Sequence, residues 1–167
     1  NQNVDGDSGN VAVGSNAGNA STTAQHNTFL GFRAGAVHTT GGSNIVIGSQ
    51  AMDDTDAGGS SLDSNDNVFI GKDSGGGTWA NASSNYNVAI GSGTMDAAMN
   101  GAGGNIAIGY YAMSSLTTGD DNTSVGHQAG YGITTGEDNI AIGKNAMYVH
   151  TTGSNNIAIG TNAMDDT

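Results

Sequence analysis

Side chains able to carry out acid–base or metal chemistry are few in this chain, and they are widely spaced. The sequence has four histidines and no cysteine among its 167 residues. His38 and His150 occupy equivalent positions of a repeat but lie six repeats apart, roughly 29 Å at about 4.8 Å per strand. His26 and His127 occupy two other repeat positions. We therefore expect no zinc centre, no catalytic cluster and no enzyme activity.

Five carboxylates are concentrated in one stretch of the chain, residues 53–66. The stretch is rich in Asp, Gly and Ser, and its acidic members are Asp53, Asp54, Asp56, Asp63 and Asp66. Oxygen-rich loops can bind Ca²⁺, although neither EF-hand spacing nor a nine-residue calcium repeat is present. A solvated acidic loop is the preferred interpretation, and a calcium site is the alternative. No other cofactor is expected.

A second irregular stretch, residues 76–86, contains aromatic side chains that could contact a ligand. Trp79 is the single tryptophan of the chain, and Tyr86 follows it. An exposed tryptophan can stack on the face of a sugar ring. These two residues are the candidates for binding a surface or a glycan.

A short repeat accounts for most of the remaining sequence. Each copy, called a coil below, begins with Asn and reaches a closing Gly four residues later. The closing glycines are Gly14, Gly31, Gly48, Gly71, Gly91, Gly109, Gly126, Gly143 and Gly160. Their separations of 17, 17, 23, 20, 18, 17, 17 and 17 residues are typical of a solenoid whose coils bury their apolar faces by stacking. The prediction is an all-β parallel solenoid of nine coils of about 17 residues. We interpret residues 1–167 as one segment of a longer fibrous protein, interrupted by loops 53–66 and 76–86.

Positions are counted from the closing glycine, which is position 0. Positions −3 and −1 hold mainly Val and Ile, so we expect them to point into the coil and form the core. Position −2 should then face outward, yet none of its members is charged. One interpretation is an alanine-rich face exposed to solvent, and the preferred one is a face covered by protein. We expect other copies of the chain to cover these residues, which makes them the candidates for a trimer interface: Ala12, Phe29, Val46, Phe69, Ala89, Ala107, Ser124, Ala141 and Ala158.

Asparagine occupies position −4 in all nine coils, and small residues or methionine recur after the closing glycine. Stacked amides can form a hydrogen-bonded ladder, so a structural role is expected for this asparagine. Position +3 is always Ala, Ser or Thr, and position +4 is either Gly or Met. Methionine fills irregular gaps, and we interpret position +4 as packing within the coil or between chains.

Charge and hydropathy exclude two classes of partner. The formal net charge is −12, with Arg33, Lys72 and Lys144 as the only strong cations. Such a chain is not expected to bind nucleic acid or an anionic membrane surface. The sequence also has no apolar run long enough to span a bilayer, so this segment is not expected to insert into a membrane.

The core Asn-(Val/Ile)-Ala-Ile-Gly-x-x-Ala, as in 87–92 and 139–146, resembles the head repeats of trimeric autotransporter adhesins. It is similar also to repeats of bacteriophage tail fibres, in which a Thr-Thr-Gly turn precedes the motif. The resemblance covers residues 10–164. It implies a left-handed parallel β-roll that forms a homotrimer and has a role in attachment. Adhesin head repeats are usually somewhat shorter than these coils, and both families stay open.

The sequence therefore predicts a structural segment of an extracellular fibre on a cell surface or virion tail. Its expected partners are further copies of itself and a host-cell receptor or glycan. Two alternatives are a ligand-binding solenoid for calcium or glycan and an ice-binding solenoid. The second is suggested by paired threonines, which recur at turns and are interrupted in the middle coils.

Overall fold

The computed structural model describes residues 9–55, 63–79 and 82–165, and it consists of strands joined by turns. No helix in the described part of the chain is long and apolar enough to cross a membrane. Each coil contributes one strand of three residues. The strands are β1 (Val11–Val13), β2 (Thr28–Leu30), β3 (Ile45–Ile47), β4 (Val68–Ile70), β5 (Val88–Ile90), β6 (Ile106–Ile108), β7 (Thr123–Val125), β8 (Ile140–Ile142) and β9 (Ile157–Ile159).

All nine strands form one parallel sheet in the order of the chain, which confirms the predicted β-solenoid. Equivalent positions pair throughout, as Ala107 does with Ser124. The insertions do not disturb this register, because Val46 pairs with Phe69 across the longest repeat. Strand pairing is therefore the same on both sides of each insertion. The sheet is about 38 Å long if its neighbouring strands are separated by about 4.8 Å. Its winding sense and any trimerisation stay predictions.

The turns rely on left-handed backbone conformations at four positions of a typical coil. Positive φ angles occur at −5, 0, +2 and +4, as at Asp121 (55°), Gly126 (140°), Gln128 (55°) and Gly130 (59°) in one coil. Gly, Asn and Asp adopt this region at the lowest cost. The abundance of these residues therefore reflects the geometry of the turns and not disorder.

The expected orientation of the strands is wrong. Position −2 is buried in every coil from β2 to β9, whereas positions −3 and −1 are half-buried or exposed. Phe29, Val46 and Phe69 lie inside the solenoid together with the small residues of the same column. The residues predicted to form a trimer interface face the interior and cannot contact another chain: Phe29, Val46, Phe69, Ala89, Ala107, Ser124, Ala141 and Ala158, with Ala12 half-buried against the same core.

The asparagines at position −4 explain the orientation. The side-chain oxygen of Asn105 accepts hydrogen bonds from the backbone and side-chain nitrogens of Asn122, at 2.9 and 3.1 Å. Asn122 also donates to the carbonyl oxygen of Gly136, at 2.8 Å. The same pattern repeats from Asn10 to Asn156 and confirms the predicted ladder. Since alternate strand residues share a face, an inward −4 side chain also turns position −2 inward.

Position −2 packs against position +4 of the same coil, and the sizes of the two residues compensate each other. Phe29 and Phe69 occur in coils with Gly35 and Gly75, whereas small −2 residues commonly occur with methionine. A Cβ atom on Gly75 would lie 2.6 Å from the Phe69 ring. Met52, Met95, Met113 and Met147 are fully buried, which confirms a packing role within the coil.

This compensation predicts strong coupling between Phe69 and Gly75. Phe69→Ala should lower the free energy of unfolding by about 3–5 kcal/mol because it leaves a cavity. Gly75→Met should also destabilise the chain, since the new side chain collides with the ring. The double variant recreates the Ala89–Met95 pair of the next coil, so it should lose at least about 1 kcal/mol less than the sum of the single losses. Urea denaturation of the four proteins measures the coupling, and strictly additive losses would contradict the packing.

Candidate functional site

The main candidate site is an apolar strip on the outer face of the sheet. We call positions −3 and −1 of the nine strands the outer strip. Within its interior coils, Ile45, Ile90 and Ile108 remain 43%, 37% and 38% exposed. Most of the large exposed hydrophobic residues in the described part of the chain belong to this strip: Val11, Val13, Leu30, Ile45, Ile90, Ile106, Ile108, Ile142, Ile157 and Ile159. Such a continuous apolar surface is typical of an interaction site.

Aromatic residues widen the outer strip on one side. Phe32 and Tyr110 follow the closing glycines of their coils, at position +1, and both are about half exposed. The Tyr110 ring lies 4.4 Å from the ring of Tyr111 and 5.3 Å from that of His127, measured between ring centres. The surface beside the strip is therefore preformed by side-chain stacking.

The asparagine ladder inside the solenoid fixes the positions of the strands that carry the outer strip. Seven of its asparagines, Asn27, Asn44, Asn67, Asn87, Asn105, Asn122 and Asn139, are buried at 0–1% exposure. Each backbone nitrogen at position −4 donates to the amide oxygen of the preceding coil. Because unpaired amides in the interior would be costly, the ladder fixes the register of the whole face.

The prediction that Trp79 binds at the surface is wrong. Trp79 is 1% exposed, and its ring packs edge-on against Phe69 at 5.6 Å between ring centres. A side chain buried in this way cannot stack on a sugar. Its large apolar ring instead extends the core where the repeat lengthens.

Tyr86, the other residue predicted to bind at the surface, is 67% exposed. It borders an open groove of about 340 Å³ together with Asn85, Asp120 and Asp121. Asp120 accepts a hydrogen bond from the backbone nitrogen of Gly103 at 2.7 Å, which orders one wall of the groove. Glycan binding at Tyr86 stays a prediction.

The predicted calcium ligands are not gathered into one site within the described residues. Asp53 forms an ion pair with Arg33 at 3.4 Å, and Asp54 accepts a hydrogen bond from Thr78. Asp63 and Asp66 are exposed to solvent. Asp56 lies outside the described residues. No group of three or more acidic, histidine or cysteine side chains in the described ranges could hold a metal ion.

A different set of carboxylates is brought together by the fold. Burial raises the pKa of Asp96 to about 6, and the nearby charges of Asp73 and Asp53 act in the same direction. Burial also raises the pKa of Asp53, although Arg33 opposes the effect. Sequence spacing gives no signal for this cluster, because its members come from three coils and two different repeat positions.

Two of the four histidines, His38 and His150, are hydrogen-bonded to asparagines of the ladder. His38 is 1% exposed. Asn44 donates to its Nε2 at 3.3 Å, which leaves the proton on Nδ1 to be donated to Thr55 at 3.1 Å. His150 similarly accepts from Asn156 at 3.1 Å. These rings extend the asparagine ladder into the turns.

The paired threonines also bond from coil to coil. The hydroxyl groups of Thr22, Thr117 and Thr134 donate to the carbonyl oxygen of the equivalent threonine in the next coil, at 3.0–3.1 Å. These bonds account for the threonines as part of the turn. Ice binding stays a prediction.

Sequence reasoning missed the outer strip, although one signal for it was present. Positions −2 and +4 exchange volume from coil to coil, as in Phe69 with Gly75 and Ala89 with Met95. Two columns that compensate each other in this way must share an interior. No protein-family model, curated protein or solved structure gives a significant match to this chain.

Proposed function

We propose that this chain is a structural, non-enzymatic segment of an extracellular fibre or adhesin that associates side by side with copies of itself. The observation that carries the proposal is the outer strip, an apolar surface about 38 Å long if strands are about 4.8 Å apart. Its ordered, parallel register makes it a rigid surface.

Water contact with the strip is unfavourable, which gives association its driving force. Covering a half-exposed Ile or Val side chain contributes on the order of 1 kcal/mol. Much of the remaining surface is polar, and the net charge of −12 on each chain opposes association through surfaces that bury little apolar area. Among the described residues, Tyr86 and Val149 are the large exposed hydrophobic residues that lie neither in the strip nor at position +1 beside it.

A homotrimer is the assembly that we propose, following the resemblance of the repeats to adhesin heads and phage tail fibres. Three strips turned toward a common axis would be removed from water together. The resulting shaft would act geometrically, holding a receptor-binding or glycan-binding part at a distance from a cell surface or virion tail.

Light scattering over a concentration series tests the proposal. The wild-type chain should have about three times its 16.5 kDa mass. Ile108→Lys places a charge in the strip and should weaken association at least about tenfold. Val149→Lys is the matched control, because Val149 is 48% exposed and lies outside the strip. A wild-type monomer at every concentration, or an Ile108→Lys variant that associates like the wild type, would refute the proposal.

A further inference from the structure

His38 places a titratable ring in a column of the solenoid interior. It occupies position +7 of its coil and is 1% exposed. In two later coils the same position holds Leu116 and Ile133, which are fully buried. Histidine changes its charge close to neutral pH, whereas these aliphatic side chains do not. The coil that contains His38 therefore has a response to acid that the later coils lack.

We propose that His38 makes the asparagine ladder acid-sensitive: a proton on its Nε2 atom breaks the rung at Asn44 and opens the solenoid locally around β3. This inference goes beyond the proposed function and does not depend on self-association.

The contact between His38 and Asn44 requires a neutral ring. The Nε2 atom lies 3.3 Å from the side-chain nitrogen of Asn44. That nitrogen also donates to the side-chain oxygen of Asn27 and the carbonyl oxygen of Ser64, both at 2.9 Å. An amide nitrogen donates hydrogen bonds and does not accept them. A proton on Nε2 would therefore place two donors face to face at the rung.

The rest of the ring is held so that it cannot turn away from Asn44. Its Nδ1 atom bonds to the hydroxyl group of Thr55 at 3.1 Å, a bond that survives protonation. The hydroxyl group of Ser21 donates to the His38 carbonyl oxygen at 3.1 Å and fixes the backbone. The ring also packs edge-on against Phe29, at 6.0 Å between ring centres. A Cβ atom on Gly41 would lie 3.1 Å from Nε2, so the turn encloses this side of the ring. The donor conflict is consequently relieved by opening the coil.

The side chains that contact the ring carry no charge. They belong to Phe29, Asn44 and Thr55. Arg33 and Asp53 pair with each other, and Asp54 accepts a hydrogen bond from Thr78. His26, Asp63 and Asp66 are exposed. These are the titratable and charged groups on the described parts of the surrounding coils, and Asp56 lies outside the described residues: His26, Arg33, Asp53, Asp54, Asp63 and Asp66.

Opening of this coil should become more favourable as the pH falls. The closed form excludes the proton and the open form binds it, so the open form gains stability below about pH 6.5, where histidine in water is half protonated. One proton increases the opening constant by at most about tenfold per pH unit. Asp96 acts in the opposite direction, since burial raises its pKa to about 6 and the folded chain then gains stability from the proton. A comparison of wild type with a variant at position 38 separates the two effects.

Amide hydrogen exchange, corrected for its intrinsic pH dependence, tests the proposal. Between about pH 7.5 and about pH 5, the protection of the Asn44 and Asn67 backbone amides should fall roughly ten- to thirtyfold. Both amides donate to ladder oxygens at this rung, at 2.9 and 3.0 Å. The Asn122 and Asn139 amides are the internal control, because their rungs follow the aliphatic residues of position +7. Their protection should change by less than about threefold.

Two glutamine variants identify the titrating ring. His38→Gln keeps a side-chain oxygen that can accept from Asn44 but takes up no proton, so the loss of protection at Asn44 should disappear. His26→Gln is the matched control at an exposed histidine and should behave like the wild type. Circular dichroism verifies that both variants fold.

Nitrogen chemical shifts of the wild-type His38 ring provide a test that needs no variant. At about pH 7.5 they should show a proton on Nδ1 and none on Nε2. A protonated Nε2 in the folded chain, equal changes in protection at Asn44 and Asn122, or an undiminished acid response in folded His38→Gln would each overturn the inference. None of these outcomes bears on the proposed self-association, which light scattering tests separately.

Discussion

Gly109→Ala is expected to lower the free energy of unfolding by about 4 kcal/mol or more. Gly109 has a φ of 136°, and an added Cβ would lie less than 3.0 Å from the carbonyl oxygen of Gly126 in the next coil. That neighbour is backbone held by hydrogen bonds, so it cannot move aside without opening the sheet. Thermal melting should show a decrease of roughly 10 °C or more in Tm.

Gly160→Ala separates the steric clash from backbone strain. Gly160 has a similar φ of 129°, but an added Cβ there has no neighbour within 4 Å. The variant should therefore lose only the cost of placing alanine in this conformation, about 1–2 kcal/mol. Equal losses for the two variants would show that the close approach between coils is not what requires glycine.

Asn105→Ala is expected to cost about 3–5 kcal/mol. Its side chain accepts from the backbone and side-chain nitrogens of Asn122, and it donates to the side chain of Asn87 and the carbonyl oxygen of Gly119. Alanine leaves the backbone nitrogen of Asn122 and the carbonyl oxygen of Gly119 without these partners, whereas the Asn122 side chain keeps its bond to Gly136. Chemical denaturation measures the loss, and hydrogen exchange should show faster exchange at the Asn122 amide.

Asn156→Ala is the control at the last rung of the ladder. Asn156 donates to Asn139, but no later asparagine of the described chain bonds to its oxygen. It is also only partly buried, so water can replace some of its bonds. A loss of about 1 kcal/mol is expected. If Asn105→Ala costs no more than this, the ladder is not a major source of stability.

Gly109→Ala and Asn105→Ala also test the proposed function. The outer strip is continuous because every coil has the same register, which Gly109 and Asn105 help to maintain. A folded variant with a local defect at β6 should therefore associate less tightly than the wild type, even though neither residue lies in the strip.

The repeat alone determines much of this structure. The spacing of the closing glycines predicts a solenoid, and Asn at every −4 position predicts the ladder, because stacked coils place identical residues next to each other. The insertions do not change strand pairing, as the pairing of Val46 with Phe69 shows. A repeat of about 17 residues leaves the chain few other ways to bury its aliphatic side chains.

Which face of the strand is inside was decided only by the tertiary structure. The alternation of side chains along a strand places neighbouring residues on opposite faces but does not say which face is buried. Both faces of these strands are apolar, so hydropathy does not decide it either. The ladder amides must be kept from water, and position −2, which shares their face of the strand, is enclosed together with the residues of positions +3 and +4. Ile106 and Ile108 consequently point outward, into the strip that forms the candidate interface.

Trp79 and the carboxylate cluster at Asp96 show the same limit. Trp79 lies in an irregular stretch whose path the repeat pattern does not give, and the cluster combines two different repeat positions from three coils. The sequence by itself determined the period, the parallel register and the ladder, because these follow from identical residues recurring at fixed spacing. The buried face, the exposed strip and the position of Trp79 were decided by the tertiary structure, because they depend on which side chains fill the narrow space inside the coil.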